Sequence, residues 1–214
     1  MTGMNRGLFI TVEGIEGAGK STCMQVLREL IESRGLRTRQ TREPGGTELG
    51  EELRELLLGH RHAGMGDDTE LLLMFSARAE HIHEVIEPAL AQGTWVLCDR
   101  FTDATYAYQG YGRGLSTGRI RTLEKWVQGD LRPDLTLLMD LPVAQGLERA
   151  GKRSSPDRFE REAHAFFERV RKGYLELARS HPDRFRVIDA SPDLGQVTHT
   201  VRRVVTEFLE ARLA

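Results

Sequence analysis

Near the start of the chain, glycines, a lysine and two hydroxyl side chains follow one another in the run Gly14-Ile15-Glu16-Gly17-Ala18-Gly19-Lys20-Ser21-Thr22. The run lies between the apolar stretch Leu8–Val12 and a segment with helical periodicity, as a phosphate-binding loop requires. Glycines let successive N–H groups point at phosphate oxygens, and the N-terminus of the next helix adds positive potential. Lys20 can reach the β- and γ-phosphates, and the Ser21 hydroxyl can ligate Mg²⁺. The run predicts a nucleoside triphosphate site; a glycine-rich turn that binds nothing is the alternative.

An aspartate and an arginine, Asp99-Arg100, come directly after the apolar run Thr94–Cys98. An aspartate that ends a strand beside a phosphate loop can hold Mg²⁺, usually through water. The neighbouring guanidinium offers a fork of donors to a second phosphate. A helix-capping aspartate with a surface arginine is the alternative.

The segment Arg42-Glu43-Pro44-Gly45-Gly46-Thr47 has the composition of a tight turn. A turn needs neither Arg42 nor Glu43, however, and Arg54 on the following helix can face the same crevice. The residues alone leave both interpretations open.

Two pairs of side chains have the spacing of base-reading groups. Phe75 and Arg78 share one face of a predicted helix and together can sandwich a base and bond its edge. A core phenylalanine with a solvated arginine is the alternative. Thr105 and Gln109 also share a face if their segment is helical, and both can bond a base. The following residues 110–114 are predicted to form a flexible turn.

A strongly charged stretch, residues 148–162, contains the basic residues Arg149, Lys152, Arg153, Arg158 and Arg161. It is either a solvated surface or a mobile basic lid that excludes water and stabilises charge on a transferred phosphoryl group. The histidines and cysteines lack zinc spacing, and no serine or cysteine has the context of a nucleophile. In-line phosphoryl transfer needs neither.

These groups must be positioned by alternating strands and helices. Apolar runs predict strands at Leu8–Val12, Leu36–Thr41, Thr94–Cys98, Leu135–Leu141 and Arg184–Asp189. Helical spacing predicts helices at Thr22–Ser33, Leu49–Leu58, Thr69–Ala91, Ser116–Gly129, Val143–Arg149, Arg158–Ser180 and Leu194–Leu213. The order predicts an α/β fold, a five-stranded parallel sheet with helices on both faces, whose ligands bind beyond the carboxyl ends of the strands.

Composition fits one such domain over residues 1–214, because the chain has 214 residues and no linker or repeat. The net charge of −2 gives no global attraction for nucleic acid or an anionic membrane. The two cysteines lack paired spacing, and no signal peptide or long apolar span is present. We therefore expect a cytoplasmic protein that binds neither nucleic acid nor membrane.

Taken in order, the motifs resemble those of the thymidylate kinase family over essentially the whole chain. The resemblance is carried by the phosphate loop together with Arg42-Glu43-Pro44-Gly45-Gly46-Thr47, Phe75-Ser76-Ala77-Arg78, Asp99-Arg100 and Tyr108-Gln109-Gly110. It implies the nucleoside-monophosphate-kinase fold with a phosphate loop. It also implies transfer of the γ-phosphoryl group of Mg·ATP to the 5′-phosphate of thymidylate.

The resemblance also implies residue roles. Thymidylate would be bound by Glu16, Arg54, Phe75, Arg78, Arg100, Thr105, Tyr108 and Gln109. In that set Phe75 stacks on thymine, Arg78 bonds its O4 edge, and Thr105 and Gln109 contact the base. Arg54 and Arg100 hold the phosphate, Glu16 lies at the 3′-OH and orients an arginine, and Tyr108 crowds the 2′ position. ATP would be bound by Gly14–Thr22 with Arg149 and Arg153, and Mg²⁺ by Ser21 and Asp99. Adenine would lie near residues 189–192, for which a helix-capping turn is the alternative.

The family divides by the position of its catalytic arginine, and here the phosphate loop contains none. The chain is thus similar to the bacterial type, with that arginine in a lid at about 148–160. Arg149, Arg153 and Arg158 are available, and we favour Arg153; the catalytic set is then Lys20, Arg100, Arg153 and Glu16. The resemblance further implies a homodimer through the long helices. Ala104 and Tyr106 depart from some relatives, which leaves discrimination against deoxyuridylate open.

Two rival functions remain. A kinase of another nucleoside monophosphate or deoxynucleoside would share the fold and use a different acceptor. A nucleotide-dependent switch would share the loop, but guanine-specific switches carry an Asn-Lys-x-Asp run that this chain lacks, and Arg54, Arg78 and Arg100 would have no role in it.

Overall fold

The computed structural model describes residues 6–59, 64–151, 158–160 and 162–213. Five parallel strands form one sheet in the order β2-β3-β1-β4-β5. They are β1 Phe9–Glu13, β2 Thr38–Arg42, β3 Trp95–Asp99, β4 Leu135–Asp140 and β5 Phe185–Asp189. The fold class is confirmed, and each strand begins and ends within two residues of its predicted bounds.

Helices cover both faces of this sheet. They are α1 Lys20–Glu32, α2 Glu48–Leu58, α3 Asp67–His81, α4 Glu87–Ala91, α5 Thr102–Thr105, α6 Thr117–Gln128, α7 Val143–Gly151, α8 His164–Ser180 and α9 Leu194–Leu213. Alternate side chains of β1 point to opposite faces: Ile10 and Val12 pack in one core cluster and Phe9 in another. None of the helices described here is both long enough and apolar enough to cross a membrane.

The predicted helix Thr69–Ala91 is interrupted. A π-helical turn, Ile82–Ile86, joins α3 to α4, and the N–H of Glu87 bonds the carbonyl of Ile82. Pro88 follows at once and has no N–H to continue the ladder. Periodicity alone does not reveal such a turn.

The prediction of a flexible turn over 110–114 is wrong for its first part. A π-helical segment, Tyr106–Gly112, continues α5 and buries Gly110 and Gly112. A Cβ on Gly112 would lie 2.6 Å from the ring of Phe166 on α8. The glycine is present because it lets the π-helical segment pack closely against α8, and not because the chain is flexible there.

The helix predicted over Arg158–Ser180 begins at His164. Residues 158–160 form a turn instead, because Arg158 is drawn into the interior, where its Nε donates to the carbonyl of Leu57. Part of the predicted lid, residues 152–157, lies outside the described residues.

The sheet positions the polar residues at its carboxyl edge. Asp99 at the end of β3 is level with Val12 of β1 and Arg42 of β2, so the phosphate loop, the Arg42–Thr47 segment and the Asp99-Arg100 pair lie side by side.

Candidate active site

A cavity of about 220 Å³ opens at this edge beside the phosphate loop. Of the predicted site residues, its walls bring together Glu16, Lys20, Arg54, Arg78, Asp99, Arg100, Thr105, Tyr108 and Gln109. Glu43, Pro44 and Met74 line it as well. Residues from distant parts of the sequence thus meet in one place.

Arg100 is held on several sides. Its Nη2 donates to Glu16 Oε1 at 2.9 Å, and its Nη1 donates to the Tyr174 hydroxyl at 3.1 Å. The guanidinium carbon lies 4.7 Å from the centre of the Tyr108 ring, whose hydroxyl donates to Glu16 at 2.8 Å. The backbone of Arg100 is left-handed, with φ at 69°, a conformation that costs free energy for a non-glycine residue. These contacts fix the guanidinium beside the phosphate loop.

Glu13, at the end of β1, holds the backbone that follows Arg100, and no motif in the sequence indicates this role. Its fully buried carboxyl group accepts the N–H of Phe101 at 2.7 Å and the Tyr174 hydroxyl at 2.8 Å. Burial, and then the charge of Asp103, raise the pKa of Glu13 to about 8, against the opposing effect of Arg100. A carboxylate at the end of the otherwise apolar strand Phe9–Glu13 is the signal that could have found it.

Glu13 should make the stability of the protein depend on pH. Its pKa is higher in the folded state than the unfolded value of 4.5, so its contribution is complete below about pH 4.5 and is lost as the pH rises through 8. Glu13→Gln keeps an uncharged side chain of similar size. Urea titrations should show a free energy of unfolding that falls less steeply over this range in Glu13→Gln than in wild type, by up to ~1.4 kcal/mol per pH unit. Parallel pH profiles would contradict the assignment, and the exposed Glu207→Gln is the control.

Arg78 is buried with one donor left over. Its Nε donates to Glu43 Oε2 at 2.7 Å and its Nη2 to Thr105 Oγ1 at 2.9 Å. His81 Nδ1 holds the other carboxylate oxygen of Glu43 at 3.0 Å. Nη1 is buried and has no hydrogen-bond partner within the described ranges. Because an unpaired buried donor is costly, and Arg78 lines the cavity, Nη1 is suited to a ligand acceptor. Glu43 therefore does more than form a turn.

The structure does not place Phe75 at the cavity, where it was predicted to stack on a base. Phe75 is buried in a cluster with Leu71 and Ile120 and does not line the cavity. Its ring lies 4.8 Å from the guanidinium carbon of Arg78, which it supports on one side. Met74, one residue earlier and only half-buried, faces the cavity instead, because the helical rotation of about 100° per residue separates the two side chains.

Substitutions at positions 74 and 75 should separate the two roles. Phe75→Ala removes a core ring and should lower the free energy of unfolding by about 3–5 kcal/mol, measured by urea titration. Met74→Ala should cost less stability and mainly raise the KM for a substrate that binds in the cavity. Equal stability losses with unchanged KM in Met74→Ala would contradict this placement.

Backbone carbonyl groups of the phosphate loop hold the side chain of Lys20. Lys20 Nζ donates to the carbonyl oxygens of Gly14 and Ile15 at 3.3 and 3.2 Å. Burial and the charge of Arg100 lower the pKa of Lys20, an effect that a bound polyphosphate would oppose. Gly17 has φ at 73°, and a Cβ there would lie 2.1 Å from the carbonyl oxygen of Gly146, so only glycine fits.

The groups predicted to hold Mg²⁺ lie beside this lysine. Asp99 Oδ1 is buried and has no hydrogen-bond partner within the described ranges, as expected for an oxygen reserved for a metal or its water. Ser21 is exposed in the first turn of α1. No group of three or more metal-ligating His, Cys, Asp or Glu side chains occurs in the described part of the chain. The residues fit a metal bound mostly by substrate phosphates and water.

A second cavity of about 360 Å³ lies on the other side of the phosphate loop. It is lined by Gly17, Ala18, Gly19 and Thr22, and farther out by Arg149, Ala190 and Pro192. Arg149 donates to the carbonyl oxygens of Ala190 and Ser191 at 3.0 and 3.4 Å. The predicted adenine region near residues 189–192 therefore forms one wall of a cavity that begins at the loop.

The candidate lid arginines have different positions. Arg149 lies at the second cavity, whereas Arg158 is buried and donates from Nη2 to Glu70 Oε2 at 2.6 Å. The guanidinium of Arg158 therefore has a structural role, because it is hydrogen-bonded to buried groups of the protein. Arg153 lies outside the described residues.

Comparison with known proteins shows similarity to one family over most of the chain. The model of the family described as thymidylate kinase matches residues 12–201. A thymidylate kinase of Pseudomonas syringae pv. tomato is 58% identical over 95% of this chain and 97% of its own length. One from Alkalilimnicola ehrlichii is 57% identical over 91% and 90%. The crystal structure of thymidylate kinase from Ehrlichia chaffeensis superposes with a TM-score of 0.75 at 35% identity, over 95% of this chain and 99% of that one.

The chain belongs to the thymidylate kinase family. Its reaction is the ATP-dependent phosphorylation of thymidylate to thymidine diphosphate. Membership in the thymidylate kinase family excludes the nucleotide-dependent switch and selects the acceptor among the monophosphate kinases.

Proposed function

We propose that the two cavities hold the two substrates of this thymidylate kinase reaction, with thymidylate in the first cavity and Mg·ATP along the loop and in the second. The observation that supports this is the position of the phosphate loop between them. Lys20 lines the first cavity, while Gly17, Gly19 and Thr22 line the second. Two nucleotides with their phosphates toward the loop would meet in line there.

Thymidylate is bound by residues at both ends of the first cavity. Arg78 Nη1 donates to O4 of thymine, with Thr105 and Gln109 beside the same base edge and Met74 in place of Phe75 on its face. Arg54 and Arg100 hold the 5′-phosphate. Glu16 lies near the 3′-OH, and Tyr108 crowds the 2′ position of the ribose.

Catalysis consists mainly of positioning and charge compensation, since two polyanions must approach each other. Lys20 holds the β- and γ-phosphates, and Glu16 orients Arg100 between donor and acceptor. Ser21 and Asp99 would hold Mg²⁺, which when bound neutralises charge on the donor phosphates.

The donor is closed in by a lid. In this proposal residues 1–214 form one phosphate-loop kinase domain, with a mobile lid at about 148–160. Arg149 borders the adenine, and Arg153 stabilises charge on the transferred phosphoryl group. The buried position of Arg158 supports choosing Arg153 over it.

A homodimer through the long helices is part of the proposal. The neighbouring helices α2, α3 and α6 each carry large exposed apolar side chains, among them Leu56, Leu72 and Trp126. Sedimentation should give about twice the mass of one chain, and Leu72→Glu should shift the measured mass toward that of one chain.

Both cysteines are buried and unpaired, which supports a cytoplasmic location.

A coupled ADP-release assay tests the acceptor assignment. Mg·ATP would be offered with thymidylate, deoxyuridylate, uridylate, cytidylate, adenylate, guanylate or thymidine. We expect turnover selective for thymidylate. Preference for another monophosphate would overturn the base-reading roles of Arg78, Thr105 and Gln109.

A further inference from the structure

Glu70, in the first turn of α3, is a fully buried carboxylate that does not line the cavity. Its Oε1 accepts a hydrogen bond from Gln109 Nε2 at 2.8 Å. Its Oε2 accepts from Arg158 at 2.6 Å and from Arg113 at 3.3 Å. Because two guanidinium groups compensate the buried charge, Glu70 is an acceptor at both oxygens.

This carboxylate decides which way round the amide of Gln109 lies. An amide has a donor end and an acceptor end, whereas an ionised carboxylate only accepts. Nε2 of Gln109 must therefore face Glu70, and Oε1 is the amide atom left for the cavity that Gln109 lines. Arg78, whose Nη1 has no hydrogen-bond partner within the described ranges, lines the same cavity.

One donor beside one acceptor matches the edge of a keto pyrimidine. Thymine offers O4 as an acceptor and N3–H as a donor, whereas cytosine offers an N4 amino donor and an N3 acceptor. We infer that Glu70 is a positioning residue that makes the site select keto over amino pyrimidines by fixing the amide of Gln109. The inference rests on the proposed placement of thymidylate in the first cavity.

Glu70→Gln tests it, because a glutamine at position 70 can present either end of its amide and so allows Gln109 to turn round. Dissociation constants of thymidylate and deoxycytidylate would be measured by calorimetry, with competition for the weaker ligand. We expect the ratio of the two constants to move toward one by about tenfold or more. Glu162→Gln is the matched control, since Glu162 accepts a hydrogen bond from the same Arg113 at 2.5 Å, whereas the amide of Gln109 donates to Glu70. The ratio of the two constants in Glu162→Gln should stay that of wild type.

The double variant Glu70→Gln/Gln109→Glu separates positioning from packing. The carboxylate then lies at position 109, accepts from the amide introduced at position 70 and still offers an oxygen to N3–H, so the ratio should return toward wild type. If Glu70→Gln does not fold, Gln109→Leu removes the same amide while Glu70 keeps its arginines, and it should lose the selectivity.

The outcomes distinguish this inference from the proposed function. An unchanged ratio in Glu70→Gln, or in Gln109→Leu, would overturn the inference, even if the variant lost stability. Failure of the wild-type protein to bind thymidylate more tightly than deoxycytidylate would instead overturn the placement of thymidylate on which the inference rests.

Discussion

Arg100→Ala should lower kcat/KM for thymidylate by about a thousandfold or more. The guanidinium is fixed by Glu16, Tyr174 and the Tyr108 ring beside the phosphate loop. A preorganised charge in a site that excludes water stabilises a developing phosphoryl charge more strongly than an exposed one. Initial rates with saturating Mg·ATP and varied thymidylate measure the effect.

Two variants control this experiment. Arg100→Lys keeps the charge but not the fork of donors and should recover only a small part of the activity. Arg203→Ala removes an exposed arginine paired with Glu207 on α9 and should leave the rate unchanged. A kcat/KM for Arg100→Ala within tenfold of wild type would show that Arg100 has no direct role with the phosphates.

Arg153→Ala should lower kcat by about 10³-fold or more, with little change in the affinity for thymidylate. An arginine that touches only the transferred phosphoryl group acts in the transition state and can contribute roughly 10³–10⁵ in rate. Steady-state kinetics and direct titration of thymidylate separate the two quantities.

Lys152→Ala, which removes the neighbouring charge in the proposed lid, is the matched control and should keep most of the turnover. Equal losses of kcat and of thymidylate affinity in Arg153→Ala would contradict the assignment. A comparable loss of kcat in Lys152→Ala would show that overall lid charge is what matters.

Much of the fold followed from local patterns. The central strands β1, β3 and β4 are largely apolar runs, whereas the outer strand β2 is polar. Because alternating strands and helices make parallel sheets, the common edge of Gly14, Arg42 and Asp99 followed from their positions after strands. The irregular parts did not follow, because tertiary contacts decide them. A glycine is required at position 112 by the close approach to α8, and the turn at Arg158 is held by Leu57 and Glu70, which are far away in the sequence.

The position of Lys20 at the cavity could be predicted, because a lysine in a phosphate loop has one expected place. The site was not predictable where neighbours on a helix compete for the same role. Phe75 and Met74 are adjacent, and only the rotation of α3 about its axis, seen in the structure, shows which side chain faces the cavity. Buried carboxylates such as Glu13 and Glu70 act through other side chains, and their partners lie too far along the chain to be found from spacing.

The most direct test of the account is a crystal structure with thymidylate and Mg·ADP bound together. We predict thymine beside Arg78 Nη1 and Gln109, the 5′-phosphate at Arg54 and Arg100, and adenine in the second cavity next to Arg149. Thymidylate bound away from Arg78 and Gln109, or adenine in the first cavity, would contradict the assignment of the two sites.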